Sequence, residues 1–172
     1  MSKRVAICPG SFDCITLGHL DIITRAAAMF DEIIVVAMNN QQKTYTFTPE
    51  ERVSMIKKAT TGIKNVQVDL YDGLLAEYAA KKGASAIIKG LRAMSDFEYE
   101  FQMALTNKKL NPEVETLFLT TSAENMYLSS SMVKQIASMG GDVSDFVPSV
   151  ILDDILKKLS PEKKQKHLNN GG

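Results

Sequence analysis

His19 closes the segment Cys8-Pro-Gly-Ser-Phe-Asp-Cys-Ile-Thr-Leu-Gly-His19, where an imidazole can donate a hydrogen bond to a developing negative charge. Gly10 and Gly18 would let the backbone approach a bound group closely, and Ser11 offers a hydroxyl plus an amide. Lys43 follows in the polar run Asn39-Asn-Gln-Gln-Lys43. Two cations stand three apart in Lys89-Gly-Leu-Arg92, ahead of the acid-rich stretch Asp96-Phe-Glu-Tyr-Glu100. Ser129, Ser130 and Ser131 supply a cluster of hydroxyls, with Lys134 one turn beyond. Such an inventory suits the holding of a nucleotide while its phosphates react.

Each feature also has an ordinary reading. Thr16 can simply cap a helix, a lone lysine is usually solvated, and spare serines are common at helix starts. Cations and acids around residues 89–100 can be surface ion pairs worth about 0–1 kcal/mol each. Placement decides between the two. Apolar runs at 4–8, 32–38, 66–70, 86–89 and 115–120 read as strands, and helical periodicity falls at 19–30, 49–60, 74–82 and 95–110. Two further helical stretches follow at 131–139 and 148–159. Capping boxes are expected at Thr48-Pro-Glu-Glu51 and Ser95-Asp-Phe-Glu98.

Strands alternating with helices imply βαβ crossovers. The expected fold is therefore α/β and Rossmann-like, a five-stranded parallel sheet with helices on both faces. In such a sheet ligands gather at the carboxyl ends of the strands. Every feature above except the Thr48 box sits at or just after a strand end, and a helix start there presents unpaired N–H groups that favour phosphate. Neither a Gly-Lys-Ser/Thr Walker loop nor Gly-x-Gly-x-x-Gly occurs, which argues against a P-loop NTPase and a standard dehydrogenase.

The 172 residues suit one domain at 1–159, with a polar, frayed tail at 160–172. Lys plus Arg and Asp plus Glu number 20 each, so no net field points to nucleic acid or a membrane surface. No apolar run approaches the length of a bilayer span, and no signal segment is expected. Cys8 and Cys14 do not form a zinc pair; reduced thiols in a cytoplasmic protein are the expectation.

In order from about Arg4 to Leu159, these motifs resemble the bacterial phosphopantetheine adenylyltransferases. Thr-x-Gly-His19 and Ser-Ser-Ser131 belong to the wider nucleotidylyltransferase superfamily, whereas Gly-Leu-Arg-Ala-Met-Ser-Asp-Phe-Glu-Tyr-Glu100 is close to diagnostic of this family. The resemblance implies transfer of the adenylyl group of ATP to 4′-phosphopantetheine, giving dephospho-coenzyme A and pyrophosphate, with Mg2+ and a homohexameric assembly. It implies that His19, Lys43 and Arg92 are catalytic, with His19 stabilising the transition state. Ser11, Phe12, His19, Gly90, Leu91, Arg92, Glu100, Asn125, Met126, Tyr127, Leu128, Ser129, Ser130 and Ser131 would contact ATP. Ser11, Lys43, Leu75 and Lys89 would contact phosphopantetheine. No protein ligand of the metal is named.

Four positions depart from the family's usual pattern. Ser11 stands for threonine, and Cys14 replaces a proline, a change expected to loosen its loop. Lys89 replaces arginine, keeping the charge without the planar fork, and Asn125 stands where an aromatic is common near adenine. A sister enzyme with another phosphate acceptor, or a non-catalytic nucleotide-binding regulator, are the competing readings.

Overall fold

The computed structural model describes residues 3–39 and 43–160. Its centre is a five-stranded parallel sheet of order β3-β2-β1-β4-β5. The strands are β1 (Val5–Gly10), β2 (Glu32–Met38), β3 (Val66–Tyr71), β4 (Ala86–Leu91) and β5 (Glu115–Thr120). The helices are α1 (Leu17–Met29), α2 (Pro49–Thr60), α3 (Leu75–Lys82), α4 (Met94–Leu110), α5 (Ser130–Ser138) and α6 (Leu152–Leu159). The α/β, Rossmann-like expectation is met. Three strands run one or two residues longer than their apolar runs, because pairing continues into Pro9-Gly10, Tyr71 and Gly90-Leu91.

The apolar runs of β1 and β2 are covered on both faces. Ala6, Cys8, Ile33, Val35 and Ala37 face a core shared with Ile23 of α1, Ile56 of α2, Val133 of α5 and Ile155 of α6. Ile7, Ile34, Val36 and Ile87 face a smaller core built with Tyr78 and Ala79 of α3. Right-handed crossovers explain the split. The chain moves outward through β1-β2-β3, then crosses back through α3 to β4 and β5, so the crossover helices change face. That reversal leaves β1 and β4 as neighbours at a switch point, where a cleft opens at their carboxyl ends.

Local chemistry sets the helix ends. Thr48 Oγ1 accepts the Glu51 N–H at 3.2 Å, and the Glu51 carboxylate accepts the Thr48 N–H at 2.7 Å, as the capping-box expectation requires. The second expected box, Ser95 to Glu98, does not form: α4 starts at Met94 behind an extended Ala93 that makes no side-chain cap. The chain entering α4 is fixed instead by Arg92, which pairs with Asp96 at 3.3 Å and donates to the Leu128 carbonyl at 2.8 Å. The expected tail is described only at Ser160; its residues 161–172 lie outside the described residues.

Gly140 and Gly141 stop α5. Gly140 has φ +83°, and the Gly141 N–H returns to the Ile136 carbonyl at 3.0 Å. A Cβ on Gly141 would stand 2.6 Å from Ile136 Cγ2. Gly141→Ala is therefore expected to lower the unfolding free energy by about 1–3 kcal/mol, an overpacking penalty. Urea denaturation that gives wild-type stability would remove this account of the α5 terminus.

Candidate active site

A cavity of about 1140 Å³ occupies the carboxyl edge of the sheet, spanning the ends of β1, β2 and β4 and the start of α5. His19 sits on its wall in the first turn of α1. Thr16, the residue capping that helix, accepts the His19 N–H at 3.4 Å, and the Thr16 N–H donates back to His19 Nδ1 at 3.0 Å. A histidine thus takes the place of the glutamate in a capping box. Because Nδ1 receives an N–H, the ring proton of the neutral imidazole resides on Nε2. Burial, then the charges of Arg92 and Lys89, push the His19 pKa down to about 4. At neutral pH the ring is an uncharged Nε2–H donor.

Phe12 holds that ring. Its backbone has φ +47°, and its side chain packs edge-on against the imidazole with centroids 5.2 Å apart. A Cβ on Gly10 would lie 3.0 Å from the Phe12 ring. The sequence reading gives Gly10 to close ligand approach; in the structure the space it leaves is needed first by Phe12. Gly90 likewise lets α1 approach β4, since a Cβ there would meet Ile22 at 3.0 Å.

Cations ring the cavity. Lys43, Lys89, Arg92 and Lys134 all line it, facing the acids Asp13, Asp96 and Glu100. Lys89 pairs with Glu100 at 3.1 Å, Arg92 with Asp96, and Lys134 with Asp13. Among the described residues Lys43 makes no ion pair, and it projects from an exposed position. The acid-rich start of α4 thus pairs with Lys89 of β4 and with Arg92 just beyond that strand.

Of the expected site residues, Ser11, Phe12, His19, Lys43, Leu75, Lys89, Gly90, Arg92, Glu100 and Leu128 to Ser131 line the cavity. Leu91, Asn125, Met126 and Tyr127 do not. Asn125 lies beside Gly18 and donates to Ser122 at 2.8 Å; Met126 and Tyr127 are exposed, and the Tyr127 ring rests against Phe146. Asn125, Met126 and Tyr127, at the end of the short 3-10 helix Ala123–Asn125 and just after it, form a rim beside the cavity rather than its wall.

Sequence reasoning missed three residues. Asp13 is buried, and its carboxylate accepts the Phe47 N–H at 2.8 Å and the Thr46 N–H at 3.1 Å besides holding Lys134. Arg52 is wholly buried beneath the β1 and β2 ends. Asn107, the buried residue of α4, lines the cavity with Leu74, Leu75, Met103 and Leu110. Asp13 was visible inside the first motif; nothing in the local sequence marks the other two. Cys14, expected to loosen the loop, is wholly buried, and its carbonyl accepts from Ser130 Oγ at 2.6 Å. Burial pushes the Cys8 and Cys14 thiols up to about 12, as fits inert packing residues.

Fold and site together define a nucleotidylyltransferase: residues 7–136 match the cytidylyltransferase-like family model. A Vibrio parahaemolyticus structure described as a nicotinate-nucleotide adenylyltransferase shares the fold, with TM-score 0.64 and 19% identity over 92% of this chain and 99% of that one. Among curated relatives, the phosphopantetheine adenylyltransferase of Caldanaerobacter subterraneus subsp. tengcongensis is 58% identical, covering 90% of this chain and 97% of that protein. Those of Alkaliphilus metalliredigens (55%, 90% of this chain and 99% of the relative) and Clostridium botulinum (50%, 94% and 98%) agree. The chain belongs to the phosphopantetheine adenylyltransferase family.

Proposed function

We propose that this chain transfers the adenylyl group of ATP to 4′-phosphopantetheine, releasing pyrophosphate and forming dephospho-coenzyme A, the penultimate step of coenzyme A synthesis. The observation that carries this reading is the lining of the cavity. Lys43, Lys89, Arg92 and His19 share it with Leu74, Leu75, Met103 and Leu110 and with the Asn107 amide. A phosphate on a long, amide-bearing chain matches both sets of groups.

In this reading the acceptor phosphate, already ionised, attacks the α-phosphorus of ATP. The new P–O bond forms as the bond to the β-phosphate oxygen breaks, and pyrophosphate carries away the electron pair. No general base or covalent enzyme intermediate is required. The chain's task is to align two polyanions and offset their charge. Lys43 and Lys89 hold the acceptor phosphate with Ser11, Arg92 takes the triphosphate, and the His19 Nε2–H bonds the α-phosphate oxygen that gains charge. ATP extends from Phe12, Gly90, Leu91 and Glu100 toward Leu128, the rim at residues 125–127 and the α5 serines. Glu100 must release Lys89 to serve there.

Magnesium belongs to the reading as an ion carried on the ATP phosphates and water. Among the described residues no three metal-ligating side chains converge, and the buried carboxylate, Asp13, is already taken by Lys134 and two amides. We also place the enzyme in the cytoplasm as a homohexamer built from a catalytic domain at residues 1–159. The exposed apolar face of α4 supports assembly, with Met94 82%, Tyr99 62% and Leu105 57% exposed. No helix among the described residues is long and apolar enough to cross a membrane.

The direct test mixes the protein with ATP, Mg2+ and 4′-phosphopantetheine, following pyrophosphate and the mass of dephospho-coenzyme A. Parallel reactions offer nicotinamide mononucleotide, or glycerol phosphate with CTP. Product with another acceptor alone would overturn the substrate while keeping the chemistry. Within that assay Lys89→Ala is expected to raise the KM for phosphopantetheine about ten- to hundredfold, the worth of a charged hydrogen bond. The KM for ATP should stay within about threefold; equal rises in both would reassign Lys89 to general field effects.

A further inference from the structure

Among the described residues Arg52 is the largest fully buried side chain, and it is a cation that pairs with none of their acids. Its Nη1 donates to the Ser11 carbonyl at 2.7 Å and to the Met38 carbonyl at 3.1 Å, while Nη2 donates to Asn39 Oδ1. The guanidinium lies 4.2 Å from the centroid of the Tyr45 ring, and Nε is buried with no partner among the described residues. A buried charge balanced only by carbonyl dipoles and a ring face is costly, and an apolar side chain could fill the same space on α2. Simple packing does not account for it.

The groups it joins do. Ser11 stands at the end of β1, whereas Met38 and Asn39 stand at the end of β2, where the chain leaves for Lys43. Asp13 receives the other end of that connection through the Thr46 and Phe47 amides. Arg52 and Asp13 therefore grip the segment bearing Lys43 at both ends. Only a planar fork reaches two carbonyls and an amide oxygen at once; an ammonium on the same stem would not.

We infer that Arg52 is a positioning residue for the acceptor phosphate, locking the Ser11 strand end to the Lys43 loop so that both meet the same anion. This rests on the acceptor role proposed above for Ser11 and Lys43. Arg52 itself is too deeply enclosed to touch substrate. Its influence should thus fall on the acceptor half of the site and spare the ATP half at Gly90 and Arg92.

The test compares the full-length protein with Arg52→Lys, Arg52→Met and the milder Asn39→Ala, which leaves Arg52 in place but removes one acceptor. Both Arg52 variants are expected to raise the KM for phosphopantetheine at least tenfold, with lysine failing to rescue, while the KM for ATP stays within about twofold. Asn39→Ala should show the same selectivity at about threefold. Hydrogen exchange on the protein without substrate should quicken in Arg52→Lys and Asn39→Ala at residues 11–14 and 43–47 and stay unchanged in β4. Equal loss toward both substrates, full rescue by lysine, or unaltered exchange at 43–47 would overturn the inference. If the wild type itself adenylylates another acceptor, the substrate reading fails, whereas the exchange data still judge the clamp. Should both Arg52 variants fail to fold, Asn39→Ala decides.

Discussion

Replacement of His19 by alanine is expected to lower kcat by about a hundred- to a thousandfold while the KM for ATP moves by no more than a few-fold. That is the effect of deleting one donor aimed at charge that develops in the transition state. The structure gives the donor unusual definition. Thr16 fixes the tautomer, Phe12 fixes the ring plane, and burial, reinforced by two cations, keeps the imidazole uncharged. His19→Gln keeps a donor at a different reach and should retain more turnover than alanine. Steady-state kinetics with both substrates varied would check the pair; a large loss of ATP affinity with turnover preserved would end the assigned role.

The lowered pKa has a consequence for pH. The folded imidazole takes a proton only near pH 4, whereas the unfolded one takes it near 6.5. Between those values the unfolded chain binds more protons, so stability is lost as pH falls from 6.5 toward 4. Acidification from pH 6.5 to 5 should cost about 2 kcal/mol through this residue. Denaturation curves at the two pH values, compared between wild type and His19→Gln, would show it as the smaller acid sensitivity of the variant. Turnover, by contrast, should not decline between pH 8 and 6 through His19.

The second large effect concerns Asp13. Asp13→Ala leaves the Lys134 ammonium and the Thr46 and Phe47 amides without their acceptor. Removing one member of a buried ion pair costs about 3–5 kcal/mol. We expect that loss in urea denaturation, with part of it recovered in Asp13→Ala/Lys134→Met, where the stranded charge is also gone. Lys134→Met alone should cost less, because the carboxylate keeps its two amide donors. A loss below 1 kcal/mol for Asp13→Ala would show that the loop finds other partners.

These residues also mark what the sequence makes legible. Apolar runs such as Ile33 to Ala37 announce strands covered on both faces, and Thr48 with Glu51 announces a helix start, because both signals are local. The strand-end placement of His19, Lys89 and Arg92 follows from the same patterns. What is not local stays hidden. Whether an arginine on α2 is solvated or enclosed depends on Ser11, forty-one positions earlier, and Asp13 finds its amides 33 and 34 positions later. Ser95 misled for the same reason: its motif is sound, but the grip of Leu128 and Asp96 on Arg92 sets where α4 begins.

The 17 residues of α4 bury one side chain, and that one is Asn107, which lines the cavity. A subunit alone thus gives this helix little to rest on, although Asp96, Glu100 and Met103 on it complete the cavity wall. Whatever covers its outer face also steadies the wall inside. If copies of this chain supply that cover, as proposed above, activity per subunit becomes a function of enzyme concentration: dilution below the dissociation constant should slow turnover before it unfolds any chain. Neighbouring copies would act, in effect, as the first ligand of the catalytic centre.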